Sequence, residues 1–406
     1  MARFLMAWEF GSGLGHAGRL APMAQALIER GHQVDVVLKE VVHAQAMFKG
    51  VGTGTGGDLR VFQAPLWTHR TFGLPNPQAT LAEIVLGAGY LQADSLGALV
   101  NGWRSLMQVT QADAVIADYA PTAVIAAHIE GLPSASVGIG FYVPPDVAPI
   151  PPFRTWEPLQ QGRVEHHDAQ ALSVVNAVVG AQGGQAIDKL ARIFRGDKPL
   201  LCTWPELDHY GRGELPAGQR YHGPSLSPTM GEAPVWPEGT GPQVFAYLRQ
   251  GHPDHLALLQ TLVNQGCRTL VYMPEVSSGQ PAPLTSPRLR YSQGPVHLTQ
   301  ALAQSELLVC HAGAGTMTES LQAGVPVLML PAQAEQFLIS MRVQQTRAGI
   351  NAAQHSRPPN FKAMIQALLN QPSHRQAAQA LAAKYASFSH EAQMSALVLE
   401  FEGLLG

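Results

Sequence analysis

The chain has 406 residues, of which 46% are hydrophobic and 14% charged, with a formal net charge of −3. That length exceeds what one compact core fills and points to two domains. The near-neutral balance, with no block of clustered Lys or Arg, excludes a general pull toward nucleic acid. Cys202, Cys267 and Cys310 lack metal or C-x-x-C spacing, so free thiols in a reducing compartment are expected. No window approaches the roughly 20 apolar residues of a spanning helix, and the start of the chain reads as a strand rather than a signal segment. A cytoplasmic location is the expectation.

Taken in chain order, "RFLMAWEF" (3–10) predicts a first strand, and a helix follows from Arg19 with Leu20, Met23, Ala24, Leu27 and Ile28 on one face and Gly31 as its stop. "QVDVVLK" (33–39) is a second strand, "GVGTGTGG" (50–57) a glycine loop and "LRVFQA" (59–64) a third strand. A helical pattern runs over about 80–110, "DAVIAD" (113–118) is a fourth strand, a helix starts at Pro121, and "SASVGIG" (134–140) is a further strand. The proline-rich stretch 142–158 cannot be a central strand or helix and is expected as a loop. The alternation restarts after 242, with strands at 243–248, 268–273, 289–292, 306–311 and 326–331, helices at about 253–265 and from Ala314, and helices running to the end. Strands separated by helices predict parallel sheets with crossovers. The expected division is an N-terminal domain over 1–210, a Gly- and Pro-dense linker over 211–242, a second domain over 243–385, and a C-terminal helix over 386–406 packing back on the first domain.

"GLGHAG" (13–18) reads as G-x-G-x-x-G, a dinucleotide fingerprint, but places a histidine in the turn. In an open doubly wound sheet the first and fourth strands are neighbours and ligands sit where the strand order reverses. His16 after strand one and Asp118 at the end of strand four are thereby brought to one crevice. The aspartate would fix the imidazole's tautomer, leaving the other nitrogen to take a proton from a hydroxyl; an imidazole, ordinarily titrating near 6.5, suits that work. Glu40, ending strand two, is placed to hold a ribose in the competing nicotinamide reading. On the N-terminal third alone the two readings stand level.

The segment "HAGAGTMTESLQAGVPVLMLPAQAEQ" (311–336) leaves a strand, passes Gly313 and Gly315 and opens a helix. Free N–H groups at such a helix start hold phosphate, with Thr316 as an added donor and His311 able to donate to a phosphate oxygen. Glu319 can accept from ribose hydroxyls, and the Glu335–Gln336 pair offers acceptor and donor to a sugar.

This segment resembles the donor-sugar signature of inverting, GT-B-fold glycosyltransferases of the UDP-glycosyltransferase-like (GT1) group. "GLGHAGRLAPMAQAL" is similar to that family's N-terminal start. The resemblance implies two facing Rossmann-like, doubly wound α/β domains with an interdomain cleft. It implies a nucleotide-sugar donor held by His311, Gly313, Gly315, Thr316, Glu319, Glu335 and Gln336, and His16 as the base that activates the acceptor, supported by Asp118. The expected reaction moves a hexose from a UDP- or TDP-sugar to a hydroxyl of a small-molecule or lipid acceptor, with inversion. No D-x-D motif is present, so no metal is called for, and no cofactor beyond the nucleotide sugar. Two departures stand out. Gln293 occupies the place where family members stack a tryptophan on the base, and "VFAYLRQGH" replaces a strand ending in Gly-Ser or Gly-Thr, which makes Arg249 and His252, with Gly15, candidate phosphate contacts. A non-catalytic sugar-nucleotide sensor and an NDP-sugar 2-epimerase are the alternatives.

Overall fold

A computed structural model of the chain describes residues 1–53, 59–225, 231–355 and 358–406. These fall into two compact units, Met1–Ser225 with Ser389–Gly406, and Leu226–Phe388.

The first unit is organised on six strands: β1 Arg3–Trp8, β2 Gln33–Leu38, β3 Leu59–Gln63, β4 Ala114–Asp118, β5 Ser134–Gly138 and β6 Lys198–Leu201. They form one parallel sheet in the order β3-β2-β1-β4-β5-β6. Strands covered on both faces read as unbroken apolar runs, and in β1 Phe4, Leu5, Met6, Ala7 and Trp8 are all buried. The strand order reverses between β1 and β4, where Trp8 lies opposite Asp118. The apolar face read after Arg19 does pack on this sheet, but the helix starts earlier, at Gly15, and runs to Glu29. His16 is therefore in the first helical turn, not in a turn before it. The helix His390–Glu402 belongs to this unit as well. Its Leu397, Val398 and Phe401 enter the same core as Phe4, Leu27 and Ile28, and Glu402 takes a two-pronged ion pair from Arg30 at 2.7 Å.

Three features depart from the sequence expectation. The single helix over 80–110 is two, Leu81–Val85 and Ala93–Thr110, because Gly89 adopts φ +97 between them. A long helix, Arg163–Ala181, and the edge strand β6 were not anticipated. β6 contains Pro199 and is the last strand of the sheet, next to β5, with Leu201 bridging Tyr221 on its outer side, consistent with proline at a sheet edge.

The second unit repeats the plan with β7 Gln243–Tyr247, β8 Arg268–Tyr272, β9 Leu289–Tyr291, β10 Leu307–Cys310, β11 Val327–Met329 and β12 Gly349–Asn351. All are parallel, in the order β12-β11-β10-β7-β8-β9. The reversal falls between β7 and β10. β12, three residues long, replaces part of what read as continuous helix. The expected linker 211–242 is divided between the units: the His222 N–H donates to the Leu201 carbonyl at 2.8 Å in the first, whereas Glu232 bridges Val296 in the second. Residues 226–230 of that stretch, and 54–57 of the expected glycine loop, lie outside the described residues. Among the described residues no helix is long and apolar enough to cross a membrane.

Candidate active site

In the first unit the strand-order reversal brings together the end of β4 and the start of the helix after β1. His16 Nδ1 lies 2.9 Å from Asp118 Oδ1. Asp118 is fully buried, so it can serve only groups already packed against it. Its second oxygen accepts from Arg19 Nη1 at 2.7 Å, and the same nitrogen donates to the Tyr142 hydroxyl at 2.5 Å. Burial alone would raise the Asp118 carboxyl, but Arg19 and His16 outweigh it and hold it below the usual aspartate value. The carboxylate is ionised, accepts the Nδ1–H of His16 and leaves Nε2 as the ring's acceptor. The Trp8 ring stacks on the imidazole at 5.3 Å between centroids, and Tyr142 lies 5.5 Å away, itself stacked on Tyr119 at 4.6 Å. Nε2 abuts Gly11, whose φ is +80. Gly15 opens the helix with no side chain capping that end.

Glu40, the acid of the nicotinamide reading, is spent locally. Its carboxylate caps the short helix Val41–Ala44 by accepting from the His43 N–H at 3.2 Å.

A second buried acid, Glu9, sits just beyond β1. It accepts the Thr122 N–H at 2.9 Å and the Thr122 hydroxyl at 2.5 Å, and Tyr90 shares that hydroxyl at 2.7 Å. Burial pushes the Glu9 carboxyl from 4.5 up to about 8, against the pull of Thr122 and Lys39. Between those values the folded chain holds a proton the unfolded chain has lost, so stability falls as pH rises through that window. Differential scanning calorimetry at a series of pH values is expected to show this slope, and Glu9→Gln to flatten it.

In the second unit, His311 follows β10. Its Nδ1 is 2.7 Å from the Leu330 carbonyl, and its Nε2 accepts the Arg249 N–H at 3.0 Å. This selects the tautomer with the proton on Nδ1 and occupies both ring nitrogens. The N–H expected from His311 for a phosphate is not available in this arrangement. The ring instead ties together the chain segments leaving β7, β10 and β11, at the strand-order reversal. Beyond it, Ala312 takes φ +60, and the helix Ala314–Gln322 begins at Gly313 with no side-chain cap. The amides of its first turn are thus without an intrahelical partner, and open space stands where a Cβ on Gly313 or Gly315 would point. Thr316 lies in that turn. Glu319, one turn on, accepts from the Thr299 hydroxyl at 3.2 Å, and burial raises its carboxyl.

Glu335 and Gln336 open the helix Ala334–Gln345 after β11, and Gln336 Oε1 accepts the Ala332 N–H at 2.9 Å. The Arg249 side chain, mostly exposed, pairs with Glu275 at 3.0 Å. His252 packs 5.6 Å from His311 and 5.2 Å from His255. Burial, with His311 and His252 alongside, pushes His255 down to about 4. Among the described residues no group of three or more His, Cys, Asp or Glu is arranged to hold a metal.

Sequence reasoning missed Trp8, Arg19, Tyr142 and Glu9. Arg19 alone left a signal, a basic residue three positions after His16 and so on the same helix face.

Residues 288–398 match the C-terminal domain of the erythromycin biosynthesis protein CIII-like family. A PGL/p-HBAD biosynthesis rhamnosyltransferase of Mycobacterium bovis (strain BCG / Pasteur 1173P2) is 29% identical over 198 residues, 48% of this chain and 43% of that protein. The similarity thus spans less than half the length of that relative. The 4'-demethylrebeccamycin synthase of Lentzea aerocolonigenes is 24% identical over 95% of this chain and 96% of its own. Among solved structures, the spinosyn rhamnosyltransferase SpnG covers 98% of this chain and 100% of its own at 16% identity, with a TM-score of 0.64. The fold is GT-B.

Proposed function

From the membership of this chain in the GT1-type, GT-B-fold glycosyltransferase family, which its EryCIII-like C-terminal domain carries, we propose that it transfers a hexose from a nucleoside-diphosphate sugar to a hydroxyl of a small-molecule or lipid acceptor. The observation that carries the reading is the His16–Asp118 pair: a buried, ionised carboxylate on Nδ1 and an Nε2 left to accept. The acceptor hydroxyl gives its proton to Nε2 as its oxygen bonds to the anomeric carbon. The bond from that carbon to the diphosphate breaks, the diphosphate keeps the electron pair, and configuration inverts. His16, carrying the proton, is steadied by Asp118.

The charge that grows on the diphosphate needs fixed donors, and the uncapped helix start at Gly313–Thr316 supplies them. Glu319 is assigned to the ribose and Glu335 with Gln336 to the hexose. His311 acts by holding Arg249 and the β11 exit in place rather than by donating to phosphate. No resident metal or cofactor is assigned. SpnG has been solved complexed with thymidine diphosphate, which puts TDP-sugars first among the donors to be tried.

A thermal-shift screen against UDP, TDP and GDP tests the donor half. A nucleotide at about 100 times its Kd stabilises by roughly 2.7 kcal/mol, and one of the three is expected to stand out; no shift with any of them removes the reading. Glu319→Ala is expected to weaken that nucleotide about 10- to 100-fold, the loss of hydrogen bonds to a charged group, as read by titration calorimetry. Conversion of an NDP-sugar to its epimer with no acceptor present would select the epimerase instead, and nucleotide binding with no product across an acceptor panel would select the sensor.

A further inference from the structure

The His16–Asp118 pair is not isolated. Asp118 has two oxygens, and one belongs to Arg19 at 2.7 Å. The guanidinium is side-chain buried to nine-tenths, and the nitrogen that donates to Asp118 also donates to the Tyr142 hydroxyl. A cation fixed on the far oxygen takes up part of the charge that Asp118 would otherwise present to the imidazole. A lone buried aspartate beside a histidine favours the protonated ring, and a protonated ring cannot take a proton from an acceptor.

We propose that Arg19 is a positioning residue that offsets Asp118, so that His16 keeps its orientation from the carboxylate while Nε2 stays free of a proton. The inference rests on the reading of His16 as the base, but its core is a statement about one titration. The groups that face the imidazole can be named. Asp118 and Tyr119 come from β4 and its exit, Tyr142 follows β5, and Arg19 lies on the ring's own helix. Behind Arg19 stands the buried Cys202 thiol, which burial pushes up to about 11 and so leaves uncharged. Lys39 donates to the Gly11 carbonyl at 2.7 Å, beside Nε2, and burial lowers its ammonium from the usual lysine value against the pull of Glu9. Among the described residues, Arg19 is the permanent cation in direct hydrogen-bond contact with the His16–Asp118 dyad.

The imidazole resonances of His16 are followed against pH by NMR in the full chain without substrate, assigned by their loss in His16→Asn. In Arg19→Gln the midpoint is expected to move up by about one unit or more, the size of a nearby charge effect. An unmoved midpoint overturns the proposal. Because Arg19→Gln leaves Asp118 buried without its cation and can compromise folding, the double variant Arg19→Gln/Asp118→Asn, which removes both charges together, supplies a second test. If the two charges offset one another at His16, the double variant titrates within about half a unit of the unmodified chain. A fall of about one unit or more shows that Asp118 acted without offset and also overturns the proposal.

The kinetic counterpart is the acid limb of kcat/KM. It is expected to move up with the Arg19→Gln midpoint, with activity returning at higher pH, whereas a merely structural loss lowers the rate equally at every pH. Arg19→Lys, which keeps the charge, is expected to restore the original limb. The NMR shift can appear with no turnover on any sugar nucleotide, in which case the glycosyltransfer reading fails and the offset stands. Turnover with an unmoved titration does the reverse.

Discussion

His16→Ala is expected to lower kcat by about 10²- to 10⁴-fold, the usual contribution of a general base, and to leave nucleotide affinity within experimental error of the unmodified chain. The split follows from where the residues sit. His16, Asp118 and Arg19 belong to the first unit, and Gly313–Thr316, Glu319, Glu335 and Gln336, proposed for the diphosphate, ribose and hexose, belong to the second. Removing the imidazole takes away no donor contact, so the loss appears in the chemical step. The measurement pairs steady-state kinetics with calorimetric titration of the nucleotide that wins the thermal-shift screen. Near-unchanged kcat on a true acceptor removes His16 from the base role. An equal loss in affinity and kcat shows instead that the substitution disturbs the whole chain. Asp118→Asn gives a graded companion, because the amide still fits the site but cannot hold the Nδ1–H tautomer as a carboxylate does.

The frame of both units was legible because parallel strands buried on two faces are written as apolar runs. Phe4–Trp8, Ala114–Ala117 and Leu307–Cys310 are such runs, and all lie in strands. What escaped was written too faintly. β6 is four residues with a proline inside, and β12 is Gly-Ile-Asn. The helix Arg163–Ala181 opens on a charged, histidine-rich turn that hides its apolar stripe. The break at Gly89 was missed because apolar residues continue through it, and only the backbone shows φ +97.

The same distinction holds for the site. His16 and Asp118 could be placed at one edge because strand order alone decides it, and they stand 2.9 Å apart. Trp8, Arg19 and Tyr142 complete the surroundings of the ring, but their roles depend on side-chain direction and on a loop after β5, which no periodicity encodes. His311 shows the limit from the other side. Its position after β10 is as read, yet both its nitrogens are taken by backbone groups from neighbouring segments, contacts that only the packed sheet creates.

Gly11→Ala is the second substitution with a large expected effect, and it separates access to the base from backbone strain. Gly11 has φ +80, and a Cβ built there would stand 2.4 Å from His16 Nε2, inside any allowed contact. The imidazole must move, and moving it breaks the 2.9 Å contact with Asp118 or turns Nε2 away from the space an acceptor oxygen needs. Gly11 cannot retreat freely either, since its carbonyl is held by Lys39 at 2.7 Å. A loss of kcat of about 10²-fold or more is expected, comparable with deleting the base. Part of any such effect could come from placing a side chain in a left-handed conformation, at about 1–2 kcal/mol. Gly13→Ala isolates that part: Gly13 also has φ +80, but a Cβ there meets nothing within 4 Å. Gly13→Ala is therefore expected to melt lower by the strain alone and to keep its turnover, while Gly11→Ala melts lower still and loses turnover. Equal losses of turnover in the two would show that the glycines serve the bend of the loop alone, and that nothing needs to reach Nε2 past residue 11.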